Sequence, residues 1–419
     1  MELSLRYLFL DLNSYFASVE QQEHPELRGK PIAVVPVEAD SSFVIAASYP
    51  AKAFGVKTGT RIGDAKRMCP GLQCVQGNHS VYMAYHQRIL EVVENVLPIE
   101  EVCSVDEMRF RLLGEERTRK RATEIAHEFK RVLREQVGEC ILCSIGVAPN
   151  PFLAKVASDM QKPDGLVILE RHELPEALLG LELMDFAGIN KRMAARLKAA
   201  GIFTTADMLA RSEQELREAF GSVVGARWYH LLRGTELEEK TRTRQSLGHS
   251  HVLAPDLRND DGVYKVMLRL IHKATARLRA HGLHAGHISF GVQGMVESWE
   301  EKLHHDPTQN TDVVASEFAK RWARRNFKSP RMCWVNFHDL KEPNHITPSL
   351  FGERTDSAEM GKAVDAINQK FGKNKVYLAA LGEAKDAAEE RIAFNKTWLF
   401  SEGKGDHETP GLFEQPEQP

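Results

Sequence analysis

Leu5-Arg6-Tyr7-Leu8-Phe9-Leu10-Asp11 is an apolar run of strand length that closes on an acid, and Ser14-Tyr15-Phe16-Ala17-Ser18-Val19-Glu20 after it reads as a helix. Asp11 therefore sits where a strand ends. A second acidic site, Asp106-Glu107, divides two further strand-like runs, Glu101 to Val105 and Met108 to Leu112. Around these lie a helix-like stretch from Val81 to Val96, a long amphipathic stretch from Arg117 to Gln136, and a strand from Ile141 to Val147. Strand, helix, strand, strand, helix, strand is the split βαβ order of a ferredoxin-like sheet. The first and third strands of that order lie side by side at the centre, so Asp11 and the Asp106-Glu107 pair are expected within reach of one another.

Working outward, Pro31 to Pro36 and Ser42 to Ala47 read as strands, and Gly55 to Gly63 as loop, giving a small mixed subdomain. Residues 170 to 237 are helical and short-looped, and Glu238 to Gln245 is a charged segment without an apolar period. Beyond it, His287 to Val292 and Met332 to Phe337 alternate as strands, with helices near Val263 to His281 and Thr311 to Arg325, a second α+β domain. After residue 352 the pattern is one more helix and strand, then a tail rich in Glu, Gln, Pro and Gly that reads as disordered.

With 419 residues, 42% hydrophobic and 27% charged, the chain is an ordinary globular composition long enough for three or four domains. No apolar run approaches the ~18 residues of a membrane span, and the N-terminus lacks a signal-peptide pattern; a cytoplasmic location is expected. Six cysteines give no disulfide framework, and Cys140 and Cys143 have no second pair to complete a zinc site. The net charge of −3 hides an asymmetry: residues 241 to 340 hold 15 Lys plus Arg against 10 Asp plus Glu, or +5, leaving −8 elsewhere. Positive charge is localised, as a phosphate-binding surface requires.

Three acids at neighbouring strand ends suit nucleotidyl transfer, which uses two divalent cations about 4 Å apart. Mg²⁺ prefers hard oxygen ligands and takes few protein carboxylates. The backbone carbonyl of Leu12 is a further candidate ligand. An Asp-Glu dipeptide alone is usually a solvated turn, but one between two apolar runs either faces solvent or binds something positive.

Leu10 to Glu20 resembles the first motif of the Y-family DNA polymerases, and Ser104-Val105-Asp106-Glu107 their second. Tyr49-Pro50-Ala51-Lys52-Ala53-Phe54-Gly55-Val56-Lys57 resembles the fingers motif, and Ser144 to Ala148, through Lys155 to Lys162-Pro163-Asp164-Gly165, the end of the palm. The resemblance implies an α+β, right-hand polymerase: a ferredoxin-like palm (1–14 and 79–169), small fingers (15–78), a helix-hairpin-helix thumb (170–237), a linker (238–245), an α+β little finger (246–352) and a C-terminal extension (353–419). It implies template-directed addition of dNTPs to a primer, in translesion synthesis and the SOS response, at low fidelity and without proofreading.

By the same resemblance, Asp11, Asp106 and Glu107 are catalytic and, with Leu12, hold two Mg²⁺ ions, Mn²⁺ substituting. Phe16 is the steric gate against a 2′-hydroxyl; the bland alternative makes it a core residue of the first helix. Tyr49, Lys52 and Lys162 hold triphosphate oxygens, and Ile45 roofs the nascent base pair. Asn13 departs from the Asp common at its position. Met184 to Leu197 has the spacing of a helix-hairpin-helix, with Gly188 and Lys191 at the turn and Asn190 where a second glycine is usual, a residue that tolerates φ > 0. Arg242, Arg244, Arg277, Arg279, Arg324 and Arg325 match the little finger's DNA-facing charge.

Residues 347 to 380 resemble the tail of UmuC-like members, with Leu350-Phe351 as a sliding-clamp contact although Thr347 stands where Gln is usual; Leu412-Phe413 is a second candidate. UmuD-like subunits are further implied partners. Tyr49 and Lys162-Pro163-Asp164-Gly165 look DinB-like, leaving the branch open. Rival readings are a nucleotidyl cyclase, which would lack the hairpin and basic domain, a catalytically dead scaffold, which would not need the three acids, and an accessory-dependent UmuC-like subunit.

Overall fold

The computed structural model describes residues 4–238, 245–346, 355–371 and 375–377. The chain divides into two compact units, with the boundary between Glu239 and Lys240.

The first unit opens with β1 (Tyr7–Leu12) and α1 (Tyr15–Glu23). Then come β2 (Ile32–Val35), β3 (Ala46–Ala47), α2 (Tyr49–Ala53), α3 (Ile62–Met68) and β4 (Gln73–Gln76). After them run α4 (His79–Glu94), β5 (Ile99–Val102), β6 (Glu107–Arg111), α5 (Arg119–Val132), β7 (Cys143–Ala148), α6 (Pro151–Met160) and β8 (Leu166–Ile168). The main sheet has the order β5-β6-β1-β7-β8. Its first four strands by sequence, β1, β5, β6 and β7, thus take the ferredoxin-like arrangement, with β1 central and bonded to both β6 and β7. All six residues of β1 are buried, because each face of the strand is covered. Leu8, Leu10 and Leu12 enter the core beneath α4 and α5, while Tyr7 and Phe9 enter the cluster that includes α6.

Two details depart from the sequence reading. Asp11 lies inside β1, one residue before its end, and Ser42 to Ala47 is largely irregular, with only Ala46–Ala47 paired as strand. The small sheet β3-β2-β4 wraps its own apolar cluster around Val35, Val44 and Ile62.

Four helices close this unit: α7 (Lys191–Ala199), α8 (Thr205–Ala210), α9 (Glu213–Phe220) and α10 (Val223–Leu231). Capping residues delimit all four, Asn190 accepting backbone N–H groups into its side-chain carbonyl and Thr204, Ser212 and Ser222 each accepting one into its hydroxyl. The segment after α10 returns to the main sheet. Glu236 accepts hydrogen bonds from the Tyr7 hydroxyl and Arg6 (2.6 Å each) and from Arg111 (3.0 Å), and Asn150 Nδ2 donates to the Leu231 and Thr235 carbonyls.

The second unit contains β9 (Ser246–Val252), α11 (Asp260–Ala280), β10 (His284–Glu297), β11 (Trp299–Thr308), α12 (Thr311–Trp322), β12 (Lys328–Lys341) and α13 (Thr355–Phe371). Its antiparallel sheet runs β11-β10-β12-β9. Ile288, Phe290, Val292, Val335 and Phe337 pack the inner face against Val266, Ile271 and Phe318 of the helices. Leu350 and Phe351, like Arg242, Arg244 and the Leu412-Phe413 pair, lie outside the described residues.

Candidate active site

Antiparallel pairing of β1 with β6 sets Asp11 directly opposite Glu107, and Leu12 N–H donates to the Asp106 carbonyl at 2.8 Å. Asp11 and Glu107 are thereby fixed in a backbone ladder, and Asp106 is tied to it through its carbonyl. Asp106 occupies the tight turn between β5 and β6, where Ser104 Oγ donates to its Oδ1 at 2.6 Å. His86 of α4 braces that turn, its Nδ1 lying 2.8 Å from the Val105 carbonyl oxygen. Burial pushes the Asp106 carboxyl up to about 6; Ser104 opposes the rise, and the neighbouring Asp11 and Glu107 add to it. An acid held this way favours a cation beside it.

The cations present are two lysines that α6 and the turn after it deliver. Lys155 donates to Asp11 Oδ2, to Glu107 Oε1 (2.8 Å) and to Asp159 (3.2 Å); Lys162 donates to Asp11 Oδ1 (2.7 Å) and to Asp159 (2.8 Å). Burial by itself would lower the pKa of Lys155, but Asp11, Glu107 and Asp159 outweigh it and raise the value. Lys162 follows the same balance, with Asp11 the main counterweight.

Gly146 explains how α6 comes so close. A Cβ there would lie 2.1 Å from the Ala154 carbonyl oxygen and 2.3 Å from the Ser158 nitrogen, so the helix rests on bare β7 backbone beside Asp11. At the far end of α6, Gly165 would meet the Gln161 carbonyl at 1.9 Å if it carried a Cβ, which closes the turn holding Lys162.

Asn13 has a structural task. Its Nδ2 donates to Ser144 Oγ at 3.1 Å and its Oδ1 accepts the Asp164 N–H at 2.7 Å, tying the Lys162-to-Gly165 turn to the end of β1. Phe16 is buried and stacked on Tyr82, ring centroids 4.5 Å apart, so the core reading of this residue describes its surroundings. Lys52 donates to Ser14 Oγ at 2.7 Å and lies 4.6 Å from the Tyr49 ring centre, and burial lowers its pKa. Tyr49 shares the vicinity of Asp11 and Lys162; burial raises its pKa. Ile45 is half-buried against the main core.

Hard carboxylate oxygens in this number suit Mg²⁺. Among the described residues no three such groups close on one point as metal ligands, and the Lys155 ammonium stands between Asp11 and Glu107. The donor set fits a divalent cation that takes the place of that ammonium.

The expected hairpin differs from the reading. The segment before Gly188 consists of short 3₁₀ turns, Glu176–Leu178 and Leu183–Asp185. Gly188 has φ +106, but Asn190 has φ −87 and is the N-cap of α7, its Oδ1 accepting from the Arg192 and Met193 N–H groups at 3.0 Å each. Asn favours capping over the left-handed conformation because the side chain satisfies two otherwise open donors. Lys191 is the first residue of α7 and exposed.

In the second unit the Arg279 side chain is buried and bidentate to Asp365 of α13 (2.6 and 3.0 Å), also donating to the Gln309 carbonyl and Thr311 Oγ1, each at 3.0 Å; it is a packing residue. Arg325 pairs with Asp260 and lies 4.8 Å from the Trp322 ring centre. Arg324 is exposed just past α12.

From sequence Lys155 was read only as part of the palm-end motif, without a role, and Asp159 was not singled out. Their signal was the spacing 155, 159, 162, an ammonium, a carboxylate and an ammonium along one side of a helix end.

Comparison with known proteins identifies a family and relatives of the chain. Residues 10–159 match the impB/mucB/samB family and residues 244–349 that family's C-terminal domain. DNA polymerase IV of Moorella thermoacetica is 30% identical over 384 residues, spanning 89% of this chain and 95% of that protein. DNA polymerase IV of Bacteroides fragilis is 34% identical over 272 residues, 64% and 73% of the two chains. Among solved structures, a Y-family DNA polymerase chimera, Dbh-Dpo4(243-245)-Dbh, shares the fold with a TM-score of 0.68 at 23% identity, over 80% of this chain and 99% of the other. The insertion ternary complex of Dbh DNA polymerase gives 0.55 over the same shares, again at 23% identity.

Proposed function

The chain belongs to the Y-family DNA polymerases, and from that premise we propose that Asp11, Asp106 and Glu107 carry a two-metal nucleotidyl transfer in translesion synthesis. The observation that carries the reading is the register: Asp11 opposite Glu107, Asp106 bonded to the next residue of β1, and two lysine ammoniums drawn onto the acids. Asp11, Asp106 and Glu107, with the Leu12 carbonyl, would hold Mg²⁺. Bound there, the ions would lower the pKa of the primer hydroxyl and neutralise charge gathering on the leaving pyrophosphate.

The protein's own groups do the rest. Lys52 and Lys162, with the Tyr49 hydroxyl, bind triphosphate oxygens and stabilise the charge that develops on them. Phe16 sits below the sugar, braced by Tyr82 so that the ring cannot retreat from a 2′-hydroxyl. Ile45 covers the base pair from the fingers side. Residues 1–14 and 79–169 form the palm, 15–78 the fingers, 170–237 the thumb and 246–352 the little finger; Gly188, Lys191, Arg324 and Arg325 are the phosphate contacts among the described residues. Asn190 serves this surface by capping α7. The DNA polymerase IV relatives favour the DinB-like branch over a UmuC-like accessory subunit. Clamp docking through Leu350-Phe351, UmuD-like partners and induction in the SOS response remain part of the proposal.

Primer extension by the purified chain with Mg²⁺ and dNTPs tests the core of it. Template-directed extension that disappears on Asp106→Ala supports the reading, and an inert wild-type chain refutes it.

A further inference from the structure

We propose that Asp159 is a positioning residue that takes both lysine ammoniums when a divalent cation enters, so that Lys155 and the metal alternate on Asp11 and Glu107. The inference rests on the metal reading above.

Three observations converge on Asp159. It is the shared partner of both lysines: Lys155 contacts Asp11, Glu107 and Asp159, while Lys162 contacts Asp11 and Asp159. Withdrawal from the two strand acids therefore leaves each ammonium with a carboxylate it already touches. Second, an ammonium and a divalent cation on one carboxylate repel strongly at contact distance in a partly buried setting. Lys155 Nζ lies between the two acids that a metal would bridge, so the two cations exclude one another. Third, Asp159 is the penultimate residue of α6, where the helix dipole disfavours an acid. The helix dipole does not account for a carboxylate there, whereas receipt of two ammoniums does. The flexible four-carbon stem of lysine permits the shift without moving α6.

The exchange has a purpose in the reaction. Before loading, the ammoniums keep Asp11 and Glu107 from repelling one another; afterwards Asp159 holds the same charges beside the site, where they meet the incoming triphosphate.

Mn²⁺ binding to the full chain, without DNA or nucleotide, tests this through the paramagnetic resonance of the free ion. Asp159→Asn leaves the lysines no alternative partner and should weaken Mn²⁺ binding about tenfold, while Asp159→Glu should restore it. In a Lys155→Met, Lys162→Met background the Asp159→Asn change should have no effect. An equal loss in both backgrounds would mean that Asp159 attracts the metal directly, and no loss in the wild-type background would mean that it takes no part; either overturns the proposal. A second readout does not need the lysine-free protein: on Mn²⁺ saturation, acetylation of Lys155 followed by mass spectrometry should stay slow in the wild type and accelerate in Asp159→Asn. Equal rates would also overturn it. Mn²⁺ binding indifferent to Asp11→Asn would refute instead the metal reading beneath.

Discussion

At the end of β1, Lys155, Lys162 and the acids Asp11, Glu107 and Asp159 share five contacts within one partly buried cluster. Along α11 and α12 of the second unit, Arg279 with Asp365 and Arg325 with Asp260 are matched one to one instead, while Arg321 and Lys320 share Glu317. In the first arrangement Asp11 and Asp159 each meet both lysines, and Lys155 meets all three acids, so partners can be exchanged. In the second, each of the two matched pairs is a closed unit that holds one segment against another. A charge count cannot separate these cases, and the +5 of residues 241 to 340 includes Arg279, whose side chain is 4% exposed and committed to packing.

The contrast can be broken most directly at the exchanging cluster. Asp106→Ala should cut primer extension by about a thousandfold or more, the equivalent of several kcal/mol of lost metal-borne stabilisation, while the melting temperature holds. A variant that unfolds instead would place Asp106 among the packing residues. At a closed pair the reverse is expected. Asp365→Ala strands the buried Arg279 guanidinium and should cost the second unit about 3 kcal/mol in calorimetry, with the first unit's transition unmoved.

Acid should treat the units alike, since each buries a neutral histidine. Burial holds His86 and His272 down at about 4, against an ordinary value near 6.5. For a base whose folded pKa is depressed, the unfolded chain takes up the proton first. The stability is therefore complete above pH 6.5 and declines as pH falls toward 4, by up to about 3 kcal/mol per histidine. Melting curves across that interval that change for one unit only would break the symmetry.

Phe16→Ala sharpens the distinction within the first unit. It should lower discrimination against ribonucleotides by roughly tenfold to a hundredfold. Because the ring is also core, the same change should cost about 3–5 kcal/mol of stability, so the assay belongs at low temperature. Unchanged discrimination would leave Phe16 a packing residue only. The smallest effect is expected from an unpaired surface charge: Arg324→Ala should reduce the slope of log K against log salt for primer-template binding by about 0.9. Arg325→Ala should change it less, because Asp260 already neutralises that side chain; the opposite ranking would mean that this pair opens on DNA.

What the sequence made legible follows the range of the forces involved. Asp11, Asp106 and Glu107 could be brought together because hydrophobic period fixes strands and the ferredoxin-like order fixes which strands adjoin. The same logic recovers α11, α12, β10 and β12 of the second unit, whereas β9 and β11 were not named from the sequence. Lys155 and Asp159 escaped because their contacts cross from a helix to a strand, and only the absent side chain at Gly146 signals how near the two lie. Asn190 was misread because two conformations suit the residue, and the open N–H groups of α7 decided for capping. Arg279 was misread because its partner lies 86 positions away on α13, a separation over which no periodicity speaks.

Gly146 carries one more consequence. The separation of α6 from β7 is set by backbone meeting backbone, so it has no side chain to compress and no rotamer to change. A single added methyl group would raise the whole helix, and Lys155 and Asp159 would rise with it while Asp11 and Glu107 stayed in their ladders. The tolerance of the reaction centre is therefore ground into a residue that touches no reactant, and a Gly146→Ala chain would keep every charged group of the site and lose their alignment.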